Sequence, residues 1–153
     1  MRNQISMSTL ANCNTVSSQQ TLKYRRKLPH FMVKIVEMDE NVTLISQLEE
    51  DVAPVVLLNK FTVMPEDVDQ FLKVFADTTN IFKQQPGFIS AQLHRGIGSS
   101  NTFFNYVVWE SAKHFKQAFN RSEFRSSIAD VLPNTTMSPH LFKKIAVPGI
   151  CVR

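Results

Sequence analysis

The sequence predicts an α+β fold of ferredoxin-like order, βαββαβ, with a four-stranded antiparallel sheet and both helices on one face. Three observations carry the expectation. Residues 55–63, 88–95 and 102–110 are short runs of β-branched, aromatic and alternating residues bounded by Pro or Gly. Between the first two, Val68, Phe71, Leu72, Phe75, Thr79 and Phe82 recur at helical spacing. A Gly-bearing turn at 96–101 is short enough to make its flanking strands antiparallel neighbours. Right-handed connections then place both helices on one side of the sheet.

Taken in order, residues 1–31 are rich in Ser, Thr, Asn and Gln and lack apolar periodicity, so they are expected to be a disordered tail. All five basic residues before Met32 (Arg2, Lys23, Arg25, Arg26, Lys27) stand there without an acid. That leaves 12 of the 17 basic residues against all 13 acidic ones, a net of −1 for residues 32–153. The overall +4 therefore gives no reason to expect a nucleic-acid partner. The tail fits either a start-site extension, with a cytoplasmic protein, or an organellar transit peptide. No apolar run is long enough to suggest a membrane span. The domain is expected over 32–153, with an N-terminal arm at 32–53.

The first strand places Val55, Leu57, Asn59, Phe61 and Val63 on one face. Pro65, Glu66 and Asp67 suit the start of the first helix, and Pro86-Gly87 its end. In the second strand, alternation from Phe88 puts Ser90, Gln92 and His94 on one face and Ile89, Ala91 and Leu93 on the other. The third strand carries Asn105, Val107 and Trp109 on one face, and Ser111 has the chemistry to cap the helix that follows from Ala112. Phe115, Ala118 and Phe119 form that helix's apolar side. A short helix bearing Phe124, Ile128, Val131 and Leu132 follows a break at 120–123. Residues 133–139 read as a loop and 141–147 as the last strand. Val56, Leu58, Ile89, Ala91, Leu93, Phe104 and Val108 would leave the second sheet face apolar too, which calls for a second copy and a dimeric barrel.

Candidate chemistry gathers where amides interrupt apolar strands. Asn59, Asn105 and Trp109, with Phe61, Phe71 and Phe75 as walls, would make a mostly apolar pocket with few polar groups, suited to a flat aromatic ligand. Filled-core hydrogen bonding of the same side chains is the plainer alternative. The four His (30, 94, 114, 140) and two Cys (13, 151) have no metal-ligand spacing, so no metal site is expected. His94 and His114 read as edge or surface residues. Gly96 and Gly98 belong to a turn, since no third glycine and no helix follow to hold a phosphate.

The run Pro86, Gly87, Phe88, Ile89, Ser90, Ala91 with His94, followed by Asn105, Tyr106, Trp109, Glu110 and Ser111, resembles the antibiotic biosynthesis monooxygenase family. The resemblance extends over about residues 54–150. It implies a dimeric α+β barrel and, in several members, oxygenation of electron-rich aromatics without metal or flavin. For the anthrone-oxygenase branch it implies catalytic roles for Asn105 and Trp109, with Arg125 matching a further Arg across a short gap. Asn59, Phe61, Phe71, Phe75 and Phe115 would bind substrate. Phe115 stands where that branch has a Tyr, which removes a phenolic O–H. In the heme-degrading branch the Asn position matches Asn59, but the helix Trp and iron-ligating His positions fall on Ala118 and Ile128, so no axial ligand remains. The expected function is a cofactor-independent monooxygenase acting on a phenolic, quinol or anthrone-like substrate with O₂, as a homodimer. A non-catalytic small-molecule-binding or stress-response dimer on the same fold is the alternative.

Overall fold

Strand β2 (Val55–Thr62) lies at the centre of the sheet because it is apolar on both faces. The computed structural model describes residues 34–129 and 134–151, the side chains of 125, 128 and 129 excepted; the predicted tail at 1–31 lies outside the described residues. β4 (Thr102–Trp109) and β5 (Thr136–Phe142) pair antiparallel to either side of β2. β3 (Phe88–Arg95) pairs with the far edge of β4. The arm adds a fifth strand, β1 (Lys34–Ile35), parallel to β5, so the sheet is mixed, of order β1-β5-β2-β4-β3. The sheet is open, with β1 and β3 as edges.

After β1 the arm forms α1 (Leu44–Gln47), capped by Thr43, whose hydroxyl accepts from Ser46 N–H. A 3₁₀ turn at Pro65–Asp67 leads into α2 (Val68–Lys83), with acids at its N-terminal end and Lys83 in its last turn. α3 (Ala112–Phe119) starts at Ser111, whose Oγ accepts from His114 N–H at 3.2 Å. α4 is Ser122–Ala129. Gly87, at φ +80°, makes the reversal into β3, and its bare Cα lies under the His114 ring, where a Cβ would collide.

Three expectations are corrected. β5 begins at Thr136 and ends at Phe142, so residues 136–140 are strand and 143–146 are not. Pro139 is accommodated because carbonyls of Thr135 and Met137 face β1, so the Pro139 nitrogen faces that same edge. β1 ends at Ile35, and no ladder donor is lost. Second, a register shift between Phe88 and Ser90 breaks the alternation of β3. Phe88 pairs with Trp109, Ala91 with Val107 and Leu93 with Asn105, so all three turn to the helix face; Ile89 is exposed. The outer face is correspondingly less apolar, carrying Ser90, Gln92 and His94 beside Val108, Tyr106 and Phe104. Third, the buried residues of α2 are Val68, Phe71, Val74 and Thr78, whereas Leu72 is exposed.

Two apolar clusters fill the space between sheet and helices. One holds Leu57, Val107, Trp109, Phe115 and Leu141, and the other Val63, Phe71, Phe103 and Met137. Asn59 and Asn105, directly opposite each other in register, sit on the same face between the two clusters. The core is thus interrupted by a pair of amides at mid-sheet.

Candidate active site

That interruption is a cavity of about 60 Å³, measured as room for water centres. It holds more than one water by the same measure, each needing roughly 10–15 Å³. Its floor is the sheet: Leu57, Asn59, Phe61, Asn105, Met137 and Pro139. α2 contributes Phe75, Thr78, Thr79 and Phe82; α3 gives Phe115 and Phe119, α4 gives Phe124, and α1 gives Leu44. The lining is aromatic and aliphatic, with four polar side chains.

The amides define its chemistry. Asn59 is 6% exposed and Asn105 8%, and the Oδ1 atom of each has no hydrogen-bond partner. A buried acceptor left unpaired costs about 1–3 kcal/mol. Two side by side in one cavity mark a place where a ligand or water supplies donors. At the rim, Ser127 Oγ donates to the Phe124 carbonyl at 2.8 Å. Thr78 Oγ1 lies 3.3 Å from Ser127 Oγ and ties α2 to α4.

Trp109 is fully buried but does not line the cavity. Phe82 and Phe88 meet its ring edge-on, with centroids at 5.6 and 5.4 Å, and Phe115 packs at 5.6 Å. Its indole Nε1–H is unpaired as well. Phe82 and Phe115 touch the indole and also wall the cavity, so the two sites share partitions.

Among the other sequence candidates, Phe61, Phe75 and Phe115 line the cavity. Phe71 lies behind them, 1% exposed, with its ring 5.1 Å from Phe61 and 6.1 Å from Phe75. Arg125 belongs to α4, and its side chain lies outside the described ones. His94 is exposed on the outer face beside Phe104, at 6.4 Å. His114 Nδ1 contacts Ser111 Oγ at 3.0 Å and Glu110 Oε2 at 3.7 Å. Both partners sit on the same ring nitrogen, so the cluster cannot relay a proton from Ser through His to Glu. The sequence places Thr79, Phe82, Phe119 and Phe124 on helix stripes alone and does not single out Thr78. No sequence signal marks which stripe residues face a void rather than a neighbour. Leu44 and Pro139 lay in segments read as arm and loop.

No described lining side chain is titratable. Glu123, the described group whose pKa clearly moves, is fully exposed; hydrogen bonding to its own backbone and the Arg121 guanidinium hold it below the ordinary value. Among the described residues, no cluster of three or more His, Cys, Asp or Glu could hold a metal ion. None of their helices is long and apolar enough to cross a membrane.

A model of the antibiotic biosynthesis monooxygenase family matches residues 54–130, half of the chain, including both amides and Trp109. The chain belongs to the antibiotic biosynthesis monooxygenase family. Deoxynogalonate monooxygenase from Streptomyces nogalater is 34% identical over 74 residues, which are 48% of this chain and 62% of that enzyme. The match thus spans less than two thirds of that relative. A solved structure of SnoaB, a cofactor-independent oxygenase from the same organism, aligns with TM-score 0.57 and 28% identity. The alignment covers 64% of this chain and 99% of that one. A conserved protein from Methanosarcina mazei shares the fold at 14% identity and TM-score 0.54. In this member of the monooxygenase family the amides form the polar centre of the cavity.

Proposed function

We propose that the protein is a monooxygenase that uses O₂, without metal or flavin, to oxygenate an acidic, electron-rich aromatic such as a phenol, quinol or anthrone. The observation that carries this reading is the pair of unpaired amide oxygens, Asn59 Oδ1 and Asn105 Oδ1, in an aromatic-walled cavity. Similarity to SnoaB, a cofactor-independent oxygenase, supports it.

The chemistry needs little from the protein beyond binding and desolvation. For an anthrone, the ring CH₂ loses a proton and the resulting anion gives one electron to O₂. The radical pair combines into a C–O bond, and the protonated peroxide loses water as its O–O bond breaks. The CH₂ becomes C=O, with one oxygen atom in product and the other in water. The substrate is the electron donor and O₂ the acceptor, so the electrons balance. The amide oxygens would accept from substrate hydroxyls and their N–H groups would steady negative charge; Trp109 Nε1–H would join them where a bound substrate displaces the Phe82 or Phe115 ring that separates it from the cavity, and Arg125 would act as charge partner. Because the described lining offers no base, the first proton must leave a substrate acidic enough to ionise on its own.

Oxygen uptake with the two-ring 1-naphthol and the three-ring dithranol tests the proposal. Consumption should match quinone formation one to one and persist in chelator; a rate no greater than buffer alone with both substrates refutes it. The lack of a titratable side chain among the described lining residues favours a second reading, a binding protein that holds such an aromatic without turning it over. Saturable binding without oxygen uptake would select it. We further propose a homodimer, with a second copy covering the outer sheet face at Leu58, Phe104, Tyr106 and Phe142. Sedimentation at micromolar concentration giving a stable monomer would refute that assembly.

A further inference from the structure

We propose that α1 is a fixed plug in one wall of the cavity and that Leu44 sets the size of ligand the cavity takes. The inference rests on the reading that this cavity is the ligand site. Residues 34–53 precede the family match at 54–130, so the plug is a wall supplied from outside the matched region.

A four-residue helix has no stability of its own, so its neighbours must hold it in place. The main hold is Gln47. Strand β1 leaves β5 after Ile35, and among the described residues the Leu141 N–H and C=O on that edge face no further strand. Gln47 Oε1 accepts from Leu141 N–H at 2.8 Å, and Gln47 Nε2 donates to Leu141 O at 2.9 Å. The side-chain amide takes the place of one residue of the missing strand. This pairing fixes which amide atom is oxygen. The second N–H of Nε2 is then free for His140 Nε2, 2.9 Å away, which must be the unprotonated ring nitrogen.

Other bonds fix the ends of the segment. Glu37 Oε2 accepts from Leu44 N–H at 3.0 Å, and Thr43 Oγ1 accepts from Ser46 N–H at 3.2 Å. Further on, Val52 O accepts from Ala112 N–H at 2.9 Å and ties the arm to the start of α3. The result is that Leu44 is 3% exposed and is the α1 residue on the cavity wall, alongside Leu57 and Pro139. Its side chain occupies space that a third fused ring could otherwise use. A pocket discriminates roughly 10–200-fold per methylene misfit.

The test is binding in oxygen-free buffer, read from quenching of the chain's one tryptophan, with probes of two sizes: 2-naphthol and 1,8-dihydroxyanthraquinone. Leu44→Ala is expected to tighten the three-ring probe at least tenfold relative to the two-ring probe. Leu44→Val should move the ratio the same way by less, and Leu44→Phe in the opposite sense. Gln47→Met, which removes the amide and keeps the chain length, should broaden selectivity as Leu44→Ala does. If Leu44→Ala does not fold, the Val and Phe variants decide. A ratio unchanged within twofold across the Leu44 variants overturns the proposal, as does failure of every variant to bind either probe. Oxygen uptake is measured separately. A shifted ratio without turnover would leave the plug standing and remove only the oxygenase reading.

Discussion

Replacing Asn105 with Leu should make the protein more stable and inactive at once. Leu has the branching and heavy-atom count of Asn but is bulkier, the added volume falling into the cavity, and Phe103 and Val107, its neighbours along β4 on the same face, are both 2% exposed. The substitution removes an acceptor that is buried without a partner, a burden of about 1–3 kcal/mol. The cavity has room for water, which can satisfy part of that demand, so the gain belongs at the lower end. About 1 kcal/mol in a domain of this size raises Tm by about 3–4 °C. Thermal melts by circular dichroism measure the first effect, and oxygen uptake with dithranol the second, where loss of one charge-stabilising donor costs roughly 10²–10³ in kcat. A Tm lowered by several degrees would mean that the amide is a satisfied structural group. The argument for a ligand-seeking polar centre would then fail, whatever happened to activity.

Three further outcomes follow from the same geometry. Trp109→Phe keeps the ring packing against Phe82 and Phe88 and deletes an unpaired N–H, so Tm should stay within a few degrees while kcat falls roughly 10²-fold; unchanged kcat would remove the indole from the chemistry. With no titratable described lining residue, kcat/KM should rise with pH through the substrate's own pKa and then level off. Substrates of different acidity should move the inflection with them, and a fixed inflection would point to a protein base. Gly87→Ala forces a Cβ into the His114 ring at a positive φ and should cost about 3 kcal/mol, seen as a Tm loss of about 10 °C or more. His114→Ala added to it should recover the steric part and leave the backbone strain, so an additive double mutant would deny the contact.

How much was legible in the sequence depended on whether a feature was local. The helix at 68–83, the cap at Ser111 and the face shared by Asn105 and Trp109 follow from spacing and side-chain chemistry within a few residues, and the structure has them. The misread features are all set by partners distant in sequence. Pro139 sits in a strand because the neighbouring strand ends at Ile35, one residue after the arm's first described position, a fact held at residues 34–36. The bulge at Phe88 turns Ala91 and Leu93 inward and Ser90, Gln92 and His94 outward, and what stabilises it is Trp109 and the helix layer rather than anything in 88–91 alone. Alternation can place a residue on a face, but only packing separates a filled face from a void. Asn59 and Asn105 were visible as polar residues in apolar strands. That both oxygens go unpaired could be read only once β2, β4 and four helices had closed around them. The same limit explains Leu44. A leucine within the short apolar piece Val42–Ile45 carries no signal of its role, which comes from Gln47 reaching 94 residues along the chain to the edge of β5.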